Sequence, residues 1–386
     1  QNASARTVHI TPAASLSVTA SRQLMVCDDF TNNGSFSAGN GTTVLVQDTC
    51  LLCTGGIVHD QILSGNLTGA NRFWHLTVTK PLTTQVTAAN NMDIAGDFTT
   101  TSTTSDFNSN GKYIKLGGNF NNSNGAVTYM GSAPNGTLEF NGTGAQNYVA
   151  GGTLDLNNVR INNSGTGVTL VGSDMLIGTG GTLDLALGLV ITNAQVAYLK
   201  NNAPASLIGG SVSSYVQGNL RRNLNGLPGS FDFPVGHVLM GYQKANITFS
   251  TNTTIPDLLA NFHPYPLLPV GPVASDCAGY DYSLLPVLDN GYWNINASAN
   301  PTSGTYDATL YNANFTPTAA YPTVVRSSVS PPVSASWTLS GTCDVASTAP
   351  ATHRTAMNGF SAFGTGLGAG STLPVELLYF TGRPLG

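Results

Sequence analysis

The chain has 386 residues, enough for two or three domains, a net charge of −5 and only 9% charged residues, where an ordinary soluble domain has about 25%. No Lys/Arg run exceeds Arg221-Arg222, so the composition argues against a nucleic-acid partner. No apolar run reaches the roughly 20 residues of a membrane-spanning helix, and the best stretch, Leu183 to Thr192, is broken by Asp184 and Gly188.

Seventeen of the nineteen acids are Asp, with Glu139 and Glu376 as the exceptions, and Thr, Ser, Val, Asn and Gly abound. That mix favours strands and turns over helices. The 44 Gly and 20 Pro make up about 17% of the chain, below the roughly 25–30% of a disordered low-complexity sequence. With 41% hydrophobic residues a sizeable core can form. The sequence opens at Gln1 without Met or a signal h-region and reads as a mature secreted form.

Residues 1–29 read as an N-terminal strand or cap that precedes the recognisable repeats and includes the strand-like stretch around Val8 and Ile10. From residue 30 to about 190 a module of roughly 85 residues occurs twice. Residues 73–78 match 158–161 at an offset of 83, Gln61 to Gly65 resembles Gln146 to Ala150 at 85, and Phe30 to Gly34 resembles Phe120 to Gly125 at 90. Shorter echoes lie inside it: residues 94–98 resemble 116–120, and Gly-Thr-Leu recurs at 136–138, 152–154 and 181–183. Short strands punctuated by Gly and Asn, which tolerate sharp corners, predict coils of twenty-odd residues stacked about 4.8 Å apart. Residues 30–212 are therefore expected to form a parallel β-helix, in preference to a string of small sandwiches.

Beyond residue 212 strands lengthen, Pro increases and alternation sharpens, as in residues 244–249 and 305–311. Residues 213–371 read as an antiparallel β-sandwich, and the fold class as all-β. Cys277 and Cys343, the only cysteines of the C-terminal half, are expected to pair, and Cys27 is expected to bond Cys50 or Cys53. A zinc site from Cys27, Cys50, Cys53 and His59 lacks the second close pair of a strong signature.

Residues 372–386 form a C-terminal strand tail. Leu373, Val375, Leu377 and Tyr379 share one face and Leu378 and Phe380 the other. Such a strand must dock on its own sandwich or add to a neighbouring subunit's sheet, which generates a filament if it does not close. The stretch with Val8 and Ile10 is a rival donor.

The sequence resembles the large repetitive cell-surface, adhesin-like proteins of the Bacteroidota. The resemblance rests on Phe30 to Phe36 with its following Gly-Thr strand, Tyr215 to Arg222, and Phe233 to Gly236. It continues through Tyr292 to Ile295, Gly359 to Phe363, and Leu373 to Thr381. It implies export by the type IX secretion system and residence at or release from the cell surface. The pattern usually continues past Leu-Pro-Val-Glu-Leu into an immunoglobulin-like module and a sorting domain, whereas this sequence stops at Gly386.

The sequence carries no strong catalytic pattern. Asp28-Asp29 is the nearest approach to a paired carboxylate, but adjacent strand residues point to opposite faces. The Gly-His-Gly and Arg-Ile-Lys elements of pectinases are lacking, since Arg160-Ile161 is followed by Asn162. No Gly-X-Ser-X-Gly elbow, HExxH or phosphate loop occurs, and the six His are scattered. Asp276 and Asp281 flank Cys277 in what reads as a solvated loop. Trp74, Trp293 and Trp337 are either core residues or sugar platforms. The Thr77-Val78-Thr79 pattern is too isolated for an ice-binding surface.

The expectation is thus a non-enzymatic, extracellular structural or adhesive protein needing no cofactor or metal. It would self-associate as a homopolymer or bind a host or cell-surface glycan. The alternative is a carbohydrate-binding or polysaccharide-cleaving β-helix. The outer groove discriminates: clustered acids beside an aromatic platform favour the alternative, a Thr/Asn/Ser surface the first reading.

Overall fold

Alternation of buried apolar and outward polar residues, at the two-residue period of a strand, runs through the chain. The computed structural model describes residues 2–47, 60–80, 84–101, 106–122, 136–151, 154–264, 291–299, 304–312, 322–333, 336–344, 347 and 350–367. It is all-β, and its first part is a right-through stack of parallel strands, a β-solenoid of about nine coils.

The first face of the solenoid begins with Ala3–Ala5, Gln23–Val26, Thr43–Gln47, His75–Thr79 and Phe98–Thr100. It continues through Phe120–Asn122, Gln146–Ala150 and Val168–Leu170 to Val190–Leu199. A second face stacks Val8–Ile10, Phe30–Asn32, Gln61–Gly65, Gln85–Ala88 and Asp106–Asn108. A third stacks Met92–Ile94, Tyr113–Leu116, Thr137–Phe140, Asn158–Asn162, Leu183–Leu187 and Leu207–Gly209.

Stacking begins at Ala3 and not at residue 30. Val8 and Ile10 belong to the first coil, paired in parallel with Phe30 and Asn32, and their side chains are buried. They are core residues, and among the described residues their strand pairs on one side only, so what it could offer a neighbour is its other backbone edge.

The register puts like on like. Leu24, Val44, Leu76, Phe98, Phe120, Tyr148 and Leu170 form one inward column on the first face. All are essentially buried. Phe120 is stacked between Phe98, at 5.5 Å and 20°, and Tyr148, at 5.3 Å and 12°. Near the N-terminal end Phe30, Phe36 and Phe73 meet edge to face at 5.2–5.8 Å, the geometry aromatic quadrupoles favour.

The one-coil echo is the true period: Ile94 lies on Leu116 and Phe98 on Phe120. The longer similarity is not a whole number of coils. His75–Thr79 lies on the first face but its counterpart Asn158–Asn162 on the third, and Gln61–Gly65 lies on the second but Gln146–Ala150 on the first.

The corners explain the preference for Asp and Asn over Glu. Asn119 N–H donates to Asp97 Oδ1 (2.7 Å) and Asn147 N–H to Asn119 Oδ1 (2.8 Å). Asp97 N–H in turn donates to His75 Nδ1 (2.8 Å). Asp29 accepts from Ile62, Asp60 from Gln85, Asn91 from Tyr113 and Asp174 from Val196 in the same sense. Each short side chain spans the single coil spacing and satisfies an N–H that the turn would otherwise leave open. Close approach also demands glycine beside this column: a Cβ on Gly118 would lie 2.4 Å from the Gly96 carbonyl carbon.

The change of texture after residue 212 is a change from parallel to antiparallel pairing within one strand. Val216–Asn223 pairs in parallel with Val190–Leu199 and, along Leu220 to Asn223, antiparallel with Asp257–His263. From there one antiparallel run continues through Tyr292–Ala297 and Ser361–Leu367 to Pro322–Ser327 and Trp337–Thr338. A second runs Gly229–His237, Gly241–Phe249, Tyr306–Asn312, Ala351–Met357 and Thr342–Cys343. The runs touch: Trp293 Nε1–H donates to Gln243 O (3.0 Å) and Arg354 Nη1–H to Thr323 Oγ1 (3.1 Å). No helix among the described residues is long and apolar enough to cross a membrane.

Candidate functional site

The outward positions of the third face carry a column of alternating charge. Asp93, Lys115, Glu139, Arg160 and Asp184 are in direct register on successive strands. In a chain with 9% charged residues this is a concentration of ionic groups. Opposite charges on facing strands support one another, and like charges there would be repulsive.

Most of the acidic oxygens are engaged. Glu139, 4% exposed, accepts from the Tyr113 hydroxyl (2.5 Å) and from Asn162 Nδ2 (2.6 Å). Burial, together with the hydrogen bond and charge of Glu139, raises the Tyr113 phenol far above its ordinary value and keeps it a donor. Arg160 Nη1 lies 2.9 Å from Asp184 Oδ2. Asp93 Oδ2 accepts the Gly69 N–H (2.8 Å). Lys115, between Asp93 and Glu139, has no direct hydrogen bond or ion pair among the described residues.

Two adjoining hollows follow the column. One is lined by Thr68, Asn91, Asp93, Tyr113, Lys115, Glu139 and Arg160. The other shares Asp93 and Lys115 and adds Arg72, Trp74, Asn141 and Thr143 over a floor that includes Gly117 and Gly142. Trp74 is half-buried at this rim, whereas Trp293 and Trp337 are 2% and 4% exposed and fill the interior.

Asp28 and Asp29 diverge. Asp28 faces the first coil, accepting from Thr7 Oγ1 (3.0 Å), while Asp29 Oδ1 accepts Ile62 N–H (2.8 Å) from the third. Arg160-Ile161-Asn162 is a solenoid strand. Among the described residues no three His, Cys, Asp or Glu side chains gather as metal ligands. Cys27 is buried on the first coils and Cys343 ends a short strand. Cys50, Cys53, His59, Asp276, Cys277 and Asp281 lie outside the described residues, as do Leu373, Val375, Leu377 and Tyr379.

Fold and groove define an all-β solenoid protein with a charged, aromatic-flanked outer face. No protein-family model, curated protein or solved structure matches the chain.

Proposed function

We propose that this is a non-enzymatic, extracellular structural and adhesive protein of a bacterial cell surface, with the third-face groove as its contact surface. The observation that carries the reading is the state of the groove's acids. Of the acids that line the groove, Glu139 is held by Tyr113 and Asn162 and Asp93 accepts the Gly69 N–H, while Asp184 at the end of the column pairs with Arg160, an arrangement suited to a rigid polar surface. A hydrolytic pair needs one carboxylate poised as acid and another open to water or substrate. By the groove criterion, acids beside Trp74 and Tyr113 favour the carbohydrate-binding alternative over a plain Thr/Asn/Ser spacer, so the adhesive role is proposed as glycan contact and takes precedence over a purely structural one.

In this reading the two antiparallel runs are the layers of a sandwich, supported by the Trp293–Gln243 and Arg354–Thr323 bonds between them. Secretion by the type IX route and the pairings Cys277–Cys343 and Cys27 with Cys50 or Cys53 belong to the same proposal. Self-assembly would use residues 373–381, apolar on both faces, as an added strand. Deleting residues 372–386 is expected to abolish polymers seen by light scattering and electron microscopy. Polymers that persist, or a full chain that stays monomeric when concentrated, would overturn the assembly part. Peptide mapping of the same material without reductant should recover both disulfides, and free Cys277 and Cys343 thiols would overturn them.

A further inference from the structure

We infer that the Trp74 end of the groove binds an acidic polysaccharide, one whose sugar residues carry carboxylates. The inference rests on the adhesive reading above and names its ligand. Its basis is the charge of the hollow that holds Trp74, where Arg72 and Lys115 stand against one acid, Asp93. Glu139 is satisfied by Tyr113 and Asn162, and Arg160 by Asp184. Of the three cations that line the two hollows, Lys115 and Arg72 have no direct partner among the described residues, and both line the hollow that holds Trp74. Arg72 is exposed and Lys115 half-buried, so each can reach an incoming anion.

The shape selects a sugar chain. The two hollows extend from Thr68 to Arg160, across strands of five successive coils. At about 4.8 Å per coil that is a trough roughly 19 Å long, matched to an extended oligomer and too long for a single small anion. A peptide that adds as a strand needs an unpaired sheet edge. The third face offers none here, because its backbone groups already bond the coils above and below. What it presents is a half-buried indole for the apolar face of a sugar ring, the Asn141 and Thr143 side chains for hydroxyls, and two cations for carboxylates.

The probe is a hexamer of glucuronic acid, compared with its neutral methyl ester, on the full chain. Trp293 and Trp337 are buried, so a ligand-induced change in tryptophan emission reports Trp74. The acid hexamer is expected to bind by calorimetry and perturb that emission, with the ester weaker by roughly tenfold or more, as loss of charge-assisted hydrogen bonds implies. Lys115→Met and Arg72→Gln should each weaken the acid by roughly tenfold, and Trp74→Ala should remove the emission change. Unaltered circular dichroism and thermal midpoints would confirm that these outward substitutions leave the fold intact. Equal binding of acid and ester, binding indifferent to Lys115→Met and Trp74→Ala, or no binding of either hexamer would overturn the inference. Failure here with retention of the chain on other polysaccharides would leave the adhesive reading standing.

Discussion

Replacing Phe120 with alanine is expected to lower the free energy of unfolding by about 3–5 kcal/mol, the range for removing a buried aromatic ring. Phe120 is fully buried and is the middle of three stacked rings, so its loss opens a void between Phe98 and Tyr148. In a solenoid each coil contacts only its neighbours, so the void separates one group of coils from the next with no distant contact to compensate. Phe120→Leu keeps most of the volume and should cost much less. Urea unfolding followed by circular dichroism measures both. A loss below about 1 kcal/mol for Phe120→Ala, the scale of a surface change, would contradict the placement of the ring in the column.

The second large effect is expected at Arg222, where the solenoid joins the antiparallel strands. The side chain is 0% exposed. It donates to Asp232 O (3.0 Å) and Pro204 O (2.9 Å), and its guanidinium carbon lies 5.3 Å from the centre of the Phe231 ring. Burial lowers its pKa to about 10, so it remains charged at neutral pH. Arg222→Ala would strand buried carbonyls on two segments and leave a cavity, at a cost of about 3–5 kcal/mol. Lysine cannot reproduce the fork of donors and should restore only part of the loss. Neighbouring Arg221 is 37% exposed, lies 3.6 Å from Asp257 and sits over the Tyr198 ring without a buried hydrogen-bond network, so Arg221→Ala should cost clearly less than Arg222→Ala. The same urea experiment decides, and equal effects at the two positions would refute this role for Arg222.

Much of the architecture was legible because strand alternation and corner residues are local. The residues 94–98 echo at 116–120 gave the coil period, and the switch near residue 212 marked the change to antiparallel pairing. The phase of the longer repeat was not legible, because coil lengths vary and a similar strand can be reused on a different face. The charged column was hidden for the same reason. Asp93, Lys115, Glu139, Arg160 and Asp184 stand 21 to 24 residues apart, and only the register brings them together. Alternating sign at coil spacing was the available signal. The surplus of Asp over Glu was visible in the composition, and the one-coil reach of Asp97, Asp29, Asp60 and Asp174 accounts for part of it. The N-terminal segment carries no such echo in its sequence, yet it forms the first coil, with Val8 and Ile10 in the core.

In the proposed function the groove holds a polysaccharide without cleaving it. The direct measurement incubates the full chain with a panel of acidic and neutral polysaccharides and reads two signals from the same tube, protein retained on the polymer and new reducing ends. Retention that falls in Trp74→Ala, with reducing ends no higher than the protein-free control, is the predicted result. New reducing ends that grow with time and vanish in Glu139→Gln would contradict it and make the groove an active site.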